Sequence, residues 1–304
     1  MSSWTLAGAT IVDGTGAETR VGNVVIEDDR IASVGGDERQ GTVVDATGLI
    51  AAPGFVDIHS HVVPSGDDGV QAVSEGLALG RDAFEHGTRV LYATPHVSPY
   101  APPLDSDRER RIQKAFRELR ERLPLELRLG YELTPMPFLL DEDPRRYVLD
   151  QTEHVLVEIP FLGSADLFLE VGEWIEGAGL TPVVAHPERT EAVLTNPRLA
   201  EELAERGWPL QVNASSLVGR HTPEMEREGW RLIDEGLAAL VASDGHRATR
   251  PMLLDEAYEL TRTRVGEKRA LRLFDGTALG LAAEPSPSRS KASQTPSPAV
   301  SPSA

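Results

Sequence analysis

Apolar residues in this chain fall in short runs, and the spacing between the runs changes near residue 53. Before that point, β-rich runs at 9–12, 23–26, 31–34 and 42–44 are separated by the turn pairs Asp13-Gly14, Asp28-Asp29, Gly35-Gly36 and Thr47-Gly48. That pattern predicts a small β domain over residues 1–53. At roughly 50 residues it is too small to be stable unless it packs on the rest of the chain. From Phe55 onward, strand-like runs at 55–58, 89–93, 126–133, 154–159, 182–185, 209–213 and 238–242 alternate with helical stretches. The helices are expected near 72–86, 106–123, 165–178, 197–206 and 222–236, with a further helical region over 251–281 and a Pro-rich, irregular segment at 134–153.

Alternating β and α units imply a parallel sheet and an α/β fold class. Seven such units point to a closed or nearly closed barrel. The other arrangement, a doubly wound open sheet, lacks the Gly-x-Gly-x-x-Gly expected after its first strand. The helix at 106–123 is dense in mixed charge and is expected to be a solvated outer face. The segment from Glu284 to Ala304 is Pro, Ser, Ala and Thr with almost no large apolar side chain, and reads as a disordered tail.

Composition narrows the function. The 304 residues are 40% hydrophobic and 26% charged, as in a soluble globular protein. A formal charge of −18 argues against nucleic acid as the main partner. The absence of cysteine excludes disulfides, thiolate metal sites and cysteine nucleophiles. The N-terminus has neither a charged lead nor a long apolar run, so no signal peptide is expected, and no stretch is long enough for a membrane span. A cytoplasmic protein is expected.

The candidate chemistry lies at the ends of the strand-like runs. Phe55-Val56-Asp57-Ile58 leads into His59-Ser60-His61. On an extended strand, residues two apart share a side, so both imidazoles can converge on one point. Later runs end in His96, Glu132, Glu158, His186, and the pair Asp244 and His246, at the end of the strands where α/β barrels carry their active sites. Five of the eight histidines fall at strand ends. His86, His154 and His221 read instead as helix-end, strand-start and loop residues. Five histidines with three or four carboxylates exceed what one cation needs. Two or three divalent ions that accept mixed N and O ligands are implied, such as Mn, Fe or Zn. Clustered divalent ions suit hydrolysis. Arg189 and Arg250, three and four residues after the last two histidine positions, offer planar forks that match phosphate oxygens.

Two resemblances rest on these residues. Gly8-Ala9-Thr10-Ile11-Val12-Asp13-Gly14, Val44-Asp45-Ala46-Thr47-Gly48 and Ala52-Pro53-Gly54-Phe55-Val56-Asp57-Ile58-His59-Ser60-His61 resemble the entry segment of the amidohydrolase superfamily. From Asp57 on, the chain resembles the bacterial PHP-family (polymerase and histidinol phosphatase) protein-tyrosine phosphatases linked to capsule and exopolysaccharide production. The matching pieces are Asp57-Ile58-His59-Ser60-His61 with Pro64 and Asp67-Asp68-Gly69, Ala93-Thr94-Pro95-His96, Val157-Glu158-Ile159-Pro160, Ala185-His186-Pro187-Glu188-Arg189, Gln211-Val212-Asn213-Ala214-Ser215-Ser216-Leu217 with Gly219, and Ala242-Ser243-Asp244-Gly245-His246. This second resemblance covers roughly 225 residues in order.

It implies a distorted (β/α)7 TIM-like barrel over residues 54–283. It also implies a first metal on His59, His61, Glu132 and Asp244, a second on Glu132, Glu158 and His186, and a third on Asp67, His96 and His246. Arg189 and Arg250 would bind phosphate, and a metal-activated hydroxide would attack phosphorus with no covalent phosphoenzyme. Manganese is the metal expected first. The implied partner is a phosphotyrosyl protein, a bacterial tyrosine kinase among the candidates, with homo-oligomer formation open. The alternative reading is an amidohydrolase of cyclic amides or related C–N bonds. Many binuclear members of that superfamily use a carboxylated lysine on a mid-barrel strand. Lys114, Lys268 and Lys291 all fall in helical or tail sequence.

Overall fold

A computed structural model describes residues 2–13, 17–28, 30–98 and 106–281. The expected disordered tail at 284–304 lies outside the described residues. The N-terminal segment forms one sheet of β1 (Ser3–Ile11), β2 (Arg20–Glu27), β3 (Arg30–Gly36), β4 (Thr42–Asp45) and β5 (Ile50–Ala51). Its order is β3-β2-β1-β4, with β5 also paired to β1. Strand β1 is longer than its sequence pattern suggests because Gly8, at φ 73°, admits a bulge between Leu6 and Ala9. Thr5, Ala7, Ala9 and Ile11 are buried, while Trp4, Val21, Ile31, Val34 and Ile50 stay largely exposed.

The second part begins with β6 (Phe55–Asp57), α1 (Val73–Glu85), β7 (Thr88–Ala93), β8 (His96–Val97), α2 (Ser106–Arg122), β9 (Glu126–Leu129) and β10 (Glu132–Leu133). It continues with β11 (His154–Glu158), α3 (Asp166–Gly177), β12 (Thr181–Ala185), α4 (Glu191–Thr195), α5 (Arg198–Glu205) and β13 (Leu210–Asn213). The last elements are α6 (Ala214–Leu217), α7 (Pro223–Glu235), β14 (Ala238–Ala242), α8 (Asp255–Val265) and α9 (Glu267–Phe274).

All strand pairs in this part are parallel, in a sheet of order β14-β13-β12-β11-β10-β8 and another of order β6-β7-β9. Beyond the end of β14, Asp244 N donates to His59 O (2.9 Å) and His61 N donates to Gly245 O (2.8 Å), which ties the last strand to the first. These parallel sheets are consistent with a barrel. Strand interiors support that reading. Leu156, Val183 and Leu240 pack into one cluster with Val56, Ile58 and Tyr92, whereas their neighbours Val155, Val157, Val184 and Val241 pack into another with the helices. Both faces are apolar, as a parallel sheet requires.

Several boundaries differ from the sequence reading. The run at 126–133 is two strands, broken at Gly130-Tyr131, and the run ending in His96 is also two, broken at Thr94-Pro95. Pro95 has no N–H for a ladder, and its carbonyl instead accepts from Glu132 N (3.3 Å). A Cβ on Gly130 would meet Leu149 at 2.4 Å, so glycine lets Leu149 pack directly on the chain at the break. The helical region at 251–281 is split at Gly266. Helix α2 does bury one side through Ile112, Phe116 and Leu119, but Arg108 is also buried. Its guanidinium donates to His96 O (2.7 Å) and Ser65 O (3.3 Å), so one charge of the expected solvated face braces the strand end instead.

Candidate metal centre

Two of the strand ends that carry candidate ligands turn through left-handed backbone. His186 after β12 has φ 33° and Asp244 after β14 has φ 49°. Neither is glycine, so each costs about 1–3 kcal/mol, a strain that surrounding contacts must hold. Asp57 is fully buried and accepts from Ser243 N (3.0 Å) and His59 N (3.3 Å). It therefore locks the start of the His-x-His segment to the end of β14.

The side chains brought together are His59, His61, His96, Glu132, Glu158, His186, Asp244 and His246, and all but the partly exposed His96 are buried. Glu132 is central. Its Oε2 lies 3.1 Å from His59 Nε2, 3.2 Å from His61 Nε2 and 3.0 Å from His96 Nδ1, and its Oε1 lies 3.0 Å from His186 Nε2. Asp244 Oδ1 is 3.5 Å from both His59 Nε2 and His61 Nε2, and those two nitrogens are 3.3 Å apart. Glu158 Oε2 is 4.0 Å from His186 Nε2, and Thr134 donates to the other oxygen of Glu158.

Asp67, the acid expected beside His96 and His246, and its neighbour Asp68 both border the cage. Asp67 turns back on its own loop, accepting from Gly69 N (3.0 Å) and His96 N (3.1 Å), with His61 Nδ1 at 3.7 Å. Asp68 Oδ1 is the atom that lies 3.5 Å from the Nε2 of both His96 and His246.

These residues fit divalent cations. Ligands at about 2.0–2.1 Å around a tetrahedral ion stand roughly 3.3 Å from each other, close to the 3.1–3.5 Å at which the Nε2 atoms of His59 and His61 lie from one another, from Glu132 Oε2 and from Asp244 Oδ1. Glu132 Oε2, Glu158 Oε2 and His96 Nδ1 are buried yet have no partner in hydrogen-bond alignment. Buried polar atoms in such number call for another partner. Four sets of three residues have ligand atoms within 4.8 Å of one another, namely His59/His61/Glu132, His59/His186/Asp244, His96/Glu132/Glu158 and His61/His96/His246. The donor set is nitrogen and oxygen only, which suits Mn, Fe or Zn.

Electrostatics within the protein agree. Burial pulls His61 down, but Asp244, Asp67 and Glu132 outweigh it and hold the imidazole well above its usual pKa. Burial pushes Glu132 and Asp244 up, and the histidines, His59 foremost, more than reverse that for both. Burial and the adjacent Glu132 push Glu158 up to about 7. Burial, with Arg189 nearby, lowers His186 to about 4. Cation uptake therefore displaces protons from groups held high, such as His61 and Glu158, while His186 already presents a neutral imidazole.

A second layer orients the ligands. His59 Nδ1 meets Gln211 Oε1 (2.9 Å), Gln211 Nε2 donates to Asn213 Oδ1 (2.8 Å), and Asn213 Nδ2 donates to Asp244 Oδ2 (2.8 Å). A proton on Nδ1 leaves the Nε2 lone pair of His59 facing the cage. His246 Nδ1 is held in the same way by Asp244 O (2.9 Å). Arg189 Nη1 (2.6 Å) and Arg250 Nη2 (2.8 Å) both donate to Asp244 Oδ2. The two guanidiniums thus share one carboxylate, which leaves a net positive charge beside the cage. The sequence reading assigns no individual role to Gln211, Asn213, Asp57, Asp68 or Arg108. A polar residue inside an apolar strand, as at Gln211 and Asn213 in β13, is the available signal for two of them.

Comparison with known proteins agrees with this geometry. The tyrosine-protein phosphatase YwqE of Bacillus subtilis is 29% identical over 230 residues, covering 74% of this chain and 91% of that protein. A crystal structure from a study of YwqE and Streptococcus pneumoniae CpsB, described as metal-dependent tyrosine phosphatases, superposes with a TM-score of 0.67 at 25% identity, covering 75% of this chain and 96% of that one. The dihydropyrimidinase of Brevibacillus agri shares the fold over 92% of this chain and 82% of its own, with a TM-score of 0.60 at 15% identity. The D-aminoacylase of Alcaligenes xylosoxydans xylosoxydans is 43% identical over only 58 residues, 18% of this chain and 12% of that protein. The family model for capsular polysaccharide synthesis, CpsB/CapC, matches residues 55–279. On that match, which spans most of its length, the chain belongs to the CpsB/CapC family.

Proposed function

We propose that this protein is a metal-dependent phosphoesterase that hydrolyses phosphotyrosine in proteins. The observation that carries the reading is the cage itself, in which five imidazoles and the carboxylates of Glu132, Glu158, Asp244 and Asp68 crowd together with two arginines at the rim. In this reading His59, His61, Glu132 and Asp244 hold one ion, and Glu132, Glu158 and His186 hold a second. His96 and His246 hold a third, with the carboxylate supplied by Asp68 in place of Asp67, whose oxygens accept from Gly69 N and His96 N. Manganese is the first choice, with iron or zinc as alternatives.

When bound, divalent ions activate water, neutralise phosphoryl charge and orient the ester. The protein's own groups do the rest. Arg189 and Arg250 present N–H donors to the phosphoryl oxygens, and Arg189 Nε, buried and without an acceptor, is free for one of them. Asp244 holds both guanidiniums in place. Gln211 and Asn213 keep His59 and Asp244 in register. A (β/α)7 barrel over residues 54–283 is the scaffold, and residues 1–53 are a separate small sheet attached to it. No helix of the described residues is long and apolar enough to cross a membrane. A cytoplasmic enzyme acting on phosphotyrosyl proteins, a tyrosine kinase among them, fits this reading.

Purified protein loaded with Mn²⁺ is expected to hydrolyse p-nitrophenyl phosphate and a phosphotyrosyl peptide, and to lose both activities on chelation. Inactivity on every phosphomonoester, together with turnover of hydantoins or N-acyl amino acids, would replace the reading with the amidohydrolase one.

A further inference from the structure

Outside the N-terminal sheet, few large apolar side chains among the described residues are exposed, and two of them are adjacent. Phe161 is 44% and Leu162 80% exposed. A single exposed leucine is ordinary. Here two neighbours are exposed together, and the first of them packs against a cage histidine and an arginine. The Phe161 ring lies stacked on the His186 imidazole, with centroids 5.5 Å apart and planes 13° from parallel. The Arg189 guanidinium carbon stands 4.9 Å from the same ring centroid. The exposed part of Phe161 therefore borders the place where a phosphoryl group would bind.

The pair is also fixed in position. Glu191 N donates to Phe161 O (3.0 Å), and Glu191 Oε2 accepts from Gly163 N (2.9 Å). Glu191 lies two residues after Arg189, so the segment that carries the guanidinium also clamps the loop that carries the ring. Their spacing is set before any ligand arrives, which reduces the ordering cost of binding.

We infer that Phe161 and Leu162 form an apolar lip that seats the aromatic ring of an aryl phosphate, and that this lip sets a preference for aryl over alkyl phosphomonoesters. The inference rests on the phosphatase reading above and adds the source of its selectivity. A phosphotyrosyl ring leaving the cage meets Phe161 in an edge or offset contact, while Leu162 covers its outer side. A phosphoseryl or phosphothreonyl ester has no ring to offer the lip, only one or two aliphatic carbons, and gains less from it.

The test uses the full-length Mn²⁺-loaded protein and two competitive inhibitors of p-nitrophenyl phosphate hydrolysis, phenylphosphonate and methylphosphonate. Their ratio of inhibition constants isolates the ring contact, because changes in metal or phosphate binding affect both inhibitors alike. Wild type is expected to bind phenylphosphonate about tenfold or more tightly than methylphosphonate. In Leu162→Ser, and in Phe161→Leu, which keeps bulk against His186, the ratio is expected to fall about threefold each, and further in the double variant. An unchanged ratio in all three variants, with phosphomonoesters still cleaved, overturns the lip alone. A wild-type protein that cleaves no phosphomonoester and is inhibited by neither phosphonate overturns the phosphatase reading and the lip with it.

Discussion

Glu132→Gln is expected to lower turnover of a phosphotyrosyl peptide by about 10³-fold, and to leave the protein holding fewer cations than wild type after identical Mn²⁺ loading. One carboxylate here serves four imidazoles: Oε2 faces His59, His61 and His96, and Oε1 faces His186. An amide of the same shape keeps one acceptor oxygen but loses the charge. Its NH₂ group then faces nitrogens that must present lone pairs to a cation. Removing a single electrostatic contact from an active site typically costs about 10²–10³ in rate. In the proposed ligand sets Glu132 would serve two neighbouring ions, so the upper end is expected. Elemental analysis beside the kinetic assay separates the cause. Lost activity with wild-type metal content would mean that Glu132 acts on the substrate and not on the ions.

Arg189→Ala should give the opposite signature: near-normal metal content with kcat/KM lowered by about 10²–10³. The Arg189 side chain is 13% exposed, against 36% for Arg250, and both grip Asp244 Oδ2. A charge-assisted hydrogen bond is strongest where water is excluded. Arg250→Ala is therefore expected to cost less than Arg189→Ala. Inhibition by inorganic phosphate should weaken in both, and more in Arg189→Ala. Wild-type phosphate inhibition in Arg189→Ala would show that the guanidinium only restrains Asp244.

The positions that meet in the cage are legible in the sequence because a parallel strand ends abruptly. An apolar run such as Val183-Val184-Ala185 followed by His186 marks both the strand and the point where its side chain enters the open face. Gaps in the reading have equally local causes. Asp67 and Asp68 are adjacent acids in one turn, and only the backbone decides that the first caps Gly69 and His96 while the second faces His96 and His246. Gln211 and Asn213 act through partners 152 and 31 residues away along the chain, a relation that periodicity does not carry. Arg108 sits among so many charges on α2 that its inward turn leaves no trace in the pattern. The broken strands at Thr94-Pro95 and Gly130-Tyr131 read as single runs because their flanks remain apolar across the bend.

Everything turns on ions shared by side chains that are remote in sequence. Anomalous diffraction at the manganese edge, from crystals of the Mn²⁺-loaded protein, tests this most directly. The account predicts two or more peaks within the cage, one of them touching Glu132 together with His59 and His61, and another beside His96, His246 and Asp68. A single peak at the surface, or none among these residues, would contradict it.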